Sequence, residues 1–260
     1  MIAFLIKTFE RPHLLARLLD SIAQFYPEAH VYVADDGQRP ADLTGCRVRV
    51  EHIRLPYDSG LSAGRNAMID ASTEPYLLLL DDDFVFTAAT RIECFLAVLA
   101  ARPEIGIVTG STVVDRQRER YEGRFAIEDG GRRLRLIPLD SAESSVRPDD
   151  SGMWPVLDVD YGINFFLARR SVFDVVRWDP ELKLSEHISF FLAAHRAGVR
   201  VAFAPEVLVD HVKERSSTQY RCYRERGPRY LGLFLQRAGL RELVTHHGKI
   251  VDRRWLMGAV

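Results

Sequence analysis

The chain has 260 residues, 47% of them hydrophobic and 27% charged, with a formal net charge of −1. That length can bury a full core and stands at the upper end of a single domain, and the near-neutral balance excludes the strongly basic composition expected of a nucleic-acid binder. No run reaches the roughly 18 apolar residues needed to cross a bilayer. The N-terminus "MIAFLIKTFERP" has no basic leader before a long apolar stretch, so it reads as a first strand and the expected location is the cytoplasm.

In chain order, "MIAFLIKT" is a short apolar strand. "RPHLLARLLDSIAQF" follows, with Leu14, Leu15, Leu18, Leu19 and Ile22 on one helical face. "HVYVADD" and "VRVEHIRL" are strands, "SGLSAGRNAMIDAS" is a glycine loop entering a helix, and "YLLLLDDD" is a fully buried strand ending in three aspartates. Thr87 is a candidate N-cap for a helix that places Ile92, Phe95, Leu96 and Leu99 on one face, and "IGIVTGSTVV" is the next strand. This alternation of continuous apolar strands with helices predicts a mostly parallel sheet covered on both sides.

From about residue 115 the pattern changes. "RQRERYEGRFAIEDGGRRLRLIPLD" alternates around "DGG" and reads as an antiparallel hairpin, and "SAESSVRPDDSG" reads as a polar loop able to close over a ligand. The sheet resumes with "VLDVDYGINFFLARR"; a helix N-capped by Ser185 puts Ile188, Phe191, Leu192 and His195 on one face; "VRVAFAPEVLVDH" is the last strand. Residues 212 to 260 carry 11 Lys and Arg against 4 Asp and Glu. Such a basic, helical extension suits an anionic substrate, peripheral contact with an anionic inner-membrane surface, or simply a solvated helix face. Cys46, Cys94 and Cys222 are odd in number, scattered and out of any metal-ligand spacing, as reduced thiols would be.

The strand ends carry the chemistry. In open α/β sheets ligands lie outside the carboxyl ends of the strands. Here those ends are Lys7-Thr8, Asp35-Asp36, Asp81-Asp82-Asp83 and Asp210-His211. Three adjacent carboxylates repel one another unless a cation or a set of donors sits among them. Mg²⁺ or Mn²⁺ accepts few carboxylates and keeps positions for phosphate oxygens, and Mn²⁺ also takes a histidine nitrogen, so a metal–diphosphate site would account for the arrangement.

"IKTFERPHLLARLLDSI", "VYVADDG", "GLSAGRNAMIDAS" and "LLLLDDDF" resemble the successive nucleotide-binding motifs of inverting GT-A fold glycosyltransferases of the family 2 type, the last being the D-x-D metal motif. With "DYGINFFLARR", "WDPELKLSEHISFFLAAHRAG" and "VLVDH", residues 1 to about 212 more closely resemble the catalytic domain of ganglioside β-1,4-N-acetylgalactosaminyltransferases and their bacterial relatives. The resemblance implies a GT-A domain over 1–212, with a nucleotide-binding half (1–100) and an acceptor half (101–212), followed by the basic extension 213–260. It implies a UDP-sugar donor, N-acetylgalactosamine or a related hexose, a glycan or glycolipid acceptor, and Mn²⁺ or Mg²⁺ as cofactor. Position by position, Thr8 and Arg11 match the first strand end that meets the nucleotide, and Asp35 or Asp36 matches the carboxylate that accepts from uracil. Arg65 and Asn66 match an element near the uridine and diphosphate, Asp81 and Asp82 fall on the nucleotide side of the D-x-D, and Asp81, Asp83 and His211 match the metal-proximal set. Lys7 and Glu10 depart from the family pattern, which often has a proline and a small polar residue there, and Ser189 stands where many relatives are acidic.

Three functions compete on this sequence. A metal-dependent inverting transferase needs a base for the acceptor hydroxyl, and Glu186 in "LSEHISFF", in a first helical turn, is the candidate, with Asp158 and Asp160 next in line. A nucleotide-sugar-binding module without catalysis has no need of that carboxylate. A nucleotidyltransferase would want a glycine-rich phosphate loop after the first strand, which "KTFERP" is not.

Overall fold

The computed structural model describes residues 1–119, 121–140, 155–213 and 218–257. The elements run β1 (Ile2–Thr8), α1 (Pro12–Phe25), β2 (His30–Asp35), β3 (Arg49–Arg54), α2 (Leu61–Ala71), β4 (Tyr76–Asp81), β5 (Phe84–Val85), α3 (Ile92–Ala101), β6 (Ile105–Val114), β7 (Gln117–Arg118), β8 (Gly123–Glu128), β9 (Arg133–Pro138), β10 (Leu157–Val159) and β11 (Phe166–Arg169). Then come α4 (Val172–Val175), α5 (Glu186–Arg196), β12 (Arg200–His211), α6 (Thr218–Glu225), α7 (Gly227–Arg237), β13 (Glu242–Val244), β14 (Ile250–Asp252) and α8 (Arg253–Met257). The main sheet has the order β10-β12-β6-β11-β4-β1-β2-β3, with β5 paired to β12 and β7 to β6. Its β4-β1-β2-β3 half is parallel, as is β12 on β6, while β11 lies antiparallel between β4 and β6.

Leucines 77–80 show why this sheet has two cores. Successive strand residues point to opposite faces. Accordingly Leu77 and Leu79 join Met68, Ile69, Phe190 and Phe191 on the face covered by α2 and α5, and Leu78 and Leu80 join Leu15, Leu18, Ile22, Phe95 and Leu99 on the face covered by α1 and α3. The helical face expected for α1 is thus buried as read. In α3, Ile92, Phe95 and Leu99 are buried and Leu96 only partly so.

Two cap expectations need correction. Helix α3 starts at Ile92, after Arg91, because "TAAT" folds as its own turn, in which the Thr87 amide donates to Thr90 Oγ1 at 2.9 Å. Ser185 does flank α5, but in a left-handed conformation (φ 59°) with no capping bond from its side chain. Likewise His195 is not part of the buried face of α5; its imidazole reaches the surface and pairs with Asp160 at 2.9 Å.

The "DGG" hairpin is present as β8–β9 turning over Asp129–Gly131. "VLDVDYGINFFLARR" supplies two strands, β10 and β11, separated by a connection that carries Asn164. The segment 141–152 lies outside the described residues. The described residues after 213 are helical only in part, since β13 adds parallel to β9 and β14 antiparallel to β13, giving a second sheet of order β14-β13-β9-β8. Phe234, Leu235, Leu240 and Leu243 are buried in the core shared with α2 and α5. Truncation at residue 230 would therefore remove core. No helix among the described residues is long and apolar enough to cross a membrane.

One stacked aromatic group anchors α5 and with it the site. Phe190 lies on Trp178 at a 4.1 Å centroid distance, and both pack on Phe166 and Phe173. Phe190→Ala should cost about 3–5 kcal/mol, the usual loss for emptying a buried phenylalanine site. Urea unfolding checks this; a loss under about 1 kcal/mol would mean that the cavity collapses freely.

Candidate active site

The carboxyl ends of β1, β2 and β4 fall level because the parallel register pairs Lys7 with Asp81 and Thr8 with Asp35. Beyond them opens a cavity of about 790 Å³ whose walls include Lys7, Arg11, Asp81, Asp82, Asp83, Glu186 and His211. His211 arrives from far along the chain because β12 pairs antiparallel with β5, setting His211 opposite Phe84 and so beside Asp83. Its Nε2 lies 3.6 Å from Asp83 Oδ2, and its Nδ1 lies 3.2 Å from Glu119.

The three aspartates have separate partners, which is how the chain tolerates them. Asp81 accepts from Arg65 at 3.1 Å and from Asn164 Nδ2 at 3.1 Å. Asp82 is 1% exposed and accepts from Thr8 Oγ1 at 2.7 Å and from Arg11. Asp83 accepts from the other guanidinium nitrogen of Arg11 at 2.8 Å. Burial pushes the Asp82 carboxyl up to about 6 against the pull of Arg11. Burial also acts upward on Asp83, but bonds from His211 and Arg11 outweigh it and hold that group below the usual carboxylate range. For His211 burial acts downward, yet its bonds to Asp83 and Glu119 prevail and raise the group above the usual imidazole value.

Asp35 and Asp36 are both buried and both committed within the chain. Asp35 accepts from the amides of Gly37 and Ala41 at 2.8 Å and pairs with Arg54 at 2.6 Å, which shapes the loop after β2. Asp36 pairs with Lys7 and accepts from the Gly60 amide at 2.7 Å. Lys7, a departure from the family pattern, reaches Asp36 across α2, where a Cβ on Gly64 would stand 2.3 Å from the lysine Cδ. For either aspartate to accept from a uracil imide, one internal donor has to share its oxygen. Asn66 is turned away from the strand ends: its amide donates to the Trp178 carbonyl at 2.8 Å and accepts from the Trp178 amide at 3.2 Å, clamping that segment.

Arg65 is fully buried and bridges Asp81 and Glu186. Glu186, 4% exposed, stands as the first residue of α5 at the cavity wall, beside His187, which faces Asn164 Oδ1 at 2.5 Å. Breaking a buried ion group by removing one member typically costs about 3–5 kcal/mol, so Arg65→Met should lose about that much at pH 8. Burial already holds the Asp81 carboxyl above the usual carboxylate range against the pull of Arg65; without the guanidinium it rises further, so the variant should regain stability as pH falls from that raised value towards the unfolded one. Urea titrations at pH 8 and pH 5 test this; equal losses at both would exclude a charge origin.

Asp158 and Asp160 do not line the cavity. Asp158 is a surface partner of Arg200 at 3.1 Å, and Asp160 holds the Phe125 amide at 2.7 Å. The sequence reading missed Asn164, His187, Glu119, Tyr121 and Tyr220, all in the cavity wall. Asn164 sits within "DYGINFF" and His187 directly follows Glu186, so both stood inside stretches already singled out; Glu119 looked like one more solvated charge in "RQRER".

The family model for glycosyl transferase family 2 matches residues 3–173. The chain is 34% identical over 213 residues to beta-1,4 N-acetylgalactosaminyltransferase 1 of Homo sapiens, and 33% identical over 212 residues to beta-1,4 N-acetylgalactosaminyltransferase 2 of Mus musculus. These matches cover 80% and 79% of this chain, which spans only 38% of either relative's length. In fold it is similar to S. aureus TarS 1–349 in complex with UDP-GlcNAc, with a TM-score of 0.61 at 15% identity, covering 90% of this chain and 65% of that one. The chain belongs to glycosyl transferase family 2, on a GT-A type of sheet.

Proposed function

We propose that the chain is a metal-dependent inverting transferase that moves N-acetylgalactosamine, or a closely related hexose, from its UDP conjugate to a hydroxyl of a glycan or glycolipid. The observation that carries this reading is the gathering of Asp81, Asp83, His211 and Glu186 into one cavity at the strand ends. The names of the N-acetylgalactosaminyltransferase relatives support the sugar, and the UDP-GlcNAc complex of the structural neighbour supports the nucleotide.

The donor set fits a divalent cation. Asp83 and His211 converge to 3.6 Å with mixed oxygen and nitrogen chemistry, and Mn²⁺ or Mg²⁺ needs few protein ligands when diphosphate oxygens and water fill the rest. Among the described residues no group of three such ligands is preassembled, so the substrate's diphosphate oxygens would have to complete the site. When bound, the metal would neutralise charge on the departing diphosphate. Glu186 would take the acceptor proton as the acceptor oxygen forms its bond to the anomeric carbon and the bond from that carbon to the diphosphate breaks, inverting the configuration. Tyr121, 5.2 Å from the His187 ring and 5.5 Å from that of His246, borders the cavity beside these residues and is assigned to the acceptor side, together with Tyr220 and Arg224 of α6.

A panel of UDP-sugars with Mn²⁺, read as UDP release with and without glycan acceptors, tests the proposal. Preferential turnover of UDP-N-acetylgalactosamine is expected. Turnover of none of the panel, with UDP itself failing to bind, would overturn it.

A further inference from the structure

Arg11 occupies the place where a bound cation would be needed most. Its two terminal nitrogens are divided between Asp82 and Asp83, and the face of its guanidinium lies 4.3 Å from the ring centroid of Tyr220 on α6. The Asp83 oxygen that accepts from Arg11 at 2.8 Å is Oδ2, the same atom that His211 Nε2 approaches at 3.6 Å. One carboxylate oxygen therefore has two claimants before any metal arrives.

A divalent ion on that oxygen would sit at about 2.0–2.2 Å from it. Arg11 could not then keep its own bond there, because its positive charge would lie within a few ångströms of a doubly charged ion. The guanidinium is held by Asp82 and by the Tyr220 ring, so it can leave Asp83 without leaving the cavity. Its Nε, moreover, is buried with no hydrogen-bond partner among the described residues. Arg11 itself lines the cavity, and the fork of an arginine suits two oxygens of a phosphate once Asp83 is given up.

We infer that Arg11 is a built-in counter-cation that holds Asp83 in the ligand-free chain and passes to the diphosphate when metal and nucleotide enter together. It is a positioning residue, and its effect is to couple the two ligands. Metal alone must displace Arg11 with no new anion to receive it, so it binds weakly; the diphosphate supplies that anion, so metal and nucleotide each strengthen the other. This inference rests on the metal and diphosphate reading above, but it makes a claim about metal binding without nucleotide.

The test is Mn²⁺ binding to the whole chain, followed by electron paramagnetic resonance of the free ion, in the absence of nucleotide and then with pyrophosphate or UDP. Arg11→Met should bind Mn²⁺ alone at least tenfold more tightly than the unaltered chain, and Asp83→Ala placed on top should remove that gain. The enhancement of Mn²⁺ affinity by pyrophosphate or UDP should shrink correspondingly in Arg11→Met. Since that variant leaves Asp82 buried without its cation, Arg11→Lys serves as the second variant: a single ammonium can serve one carboxylate but not fork between two, and it should give an intermediate gain. Folding of each variant is checked by thermal melting. Unchanged Mn²⁺ affinity in folded Arg11→Lys and Arg11→Met would overturn the inference. If Arg11→Met gains affinity for Mn²⁺, and in the unaltered chain pyrophosphate strengthens Mn²⁺ binding while UDP does not, the counter-cation stands and the uridine donor is what fails.

Discussion

Glu186→Gln should bind UDP and Mn²⁺ as the unaltered chain does and transfer sugar some 10²- to 10⁴-fold more slowly, the range for loss of a positioned general base. The substitution isolates basicity because an amide fills the same volume and its oxygen can still accept from Arg65, which donates to Glu186 Oε1 and to Asp81. Nucleotide contacts assigned to Thr8, Arg11 and the Asp81–Asp83 run lie on β1, β4 and the loops that follow them, whereas Glu186 is carried by α5 and fixed through Phe190 on Trp178. A fall in transfer with unchanged UDP affinity is therefore the signature of a base, while a parallel fall in both would indicate that the Arg65 bridge had come apart. Isothermal titration with UDP and a radiolabelled transfer assay separate the two. Near-normal transfer by Glu186→Gln would leave the reaction without a base at this position, and Asp158 and Asp160 offer no replacement, since neither lines the cavity.

What the sequence made legible was what local patterning controls. Four leucines running into three aspartates could only be a buried strand ending at a polar edge, and the apolar spacing of α1 fixed which of its faces is buried. The identities at the strand ends followed from the rule that ligands collect there. The partners of those residues did not follow, because they depend on register between strands distant in sequence: His211 reaches Asp83 only through the β5–β12 pairing, and Asn164 reaches Asp81 only because β11 inserts antiparallel beside β4. The basic stretch after residue 213 read as an appendage because its charges dominate its composition. Apolar residues spaced among them, Phe234, Leu235, Leu240 and Leu243 included, carry the packing, and three residues of β13 extend the second sheet. The two misplaced caps have a similar origin. Thr87 has the chemistry of a cap, but its segment satisfies its own amide through Thr90, and Ser185 is turned into a left-handed conformation where the chain enters α5 with Glu186 at the cavity wall.

EDTA should abolish donor turnover, Mn²⁺ or Mg²⁺ should restore it, and Asp83→Ala should bind UDP weakly with no response to metal. The size of the effect follows from how few protein ligands there are. Of the set Asp81, Asp83 and His211, Asp81 already accepts from Arg65 and Asn164, so Asp83 and His211 are the converging pair; since changes outside the direct ligands already cost about 10–100-fold in metal affinity, loss of Asp83 should cost at least the upper end of that range. His211→Ala should act in the same direction but less strongly, because a hard cation depends more on the carboxylate charge than on a neutral nitrogen. Both variants should keep their fold, for Asp83 and His211 line the cavity and neither belongs to the hydrophobic cores. Metal-free activity equal to that with Mn²⁺ would sink the metal assignment and shift the task of neutralising the diphosphate to the cations already at the strand ends, Lys7 and Arg11. These two are distinguishable, since Lys7 is 4% exposed and spent on Asp36, whereas Arg11 lines the cavity and its buried Nε has no hydrogen-bond partner among the described residues. Metal-dependent activity that loses its metal response in Asp83→Ala and also falls on Arg11 substitution would instead show both cations acting on one diphosphate, the metal held by His211 of β12 and Asp83 of the turn before β5, the guanidinium by the loop after β1.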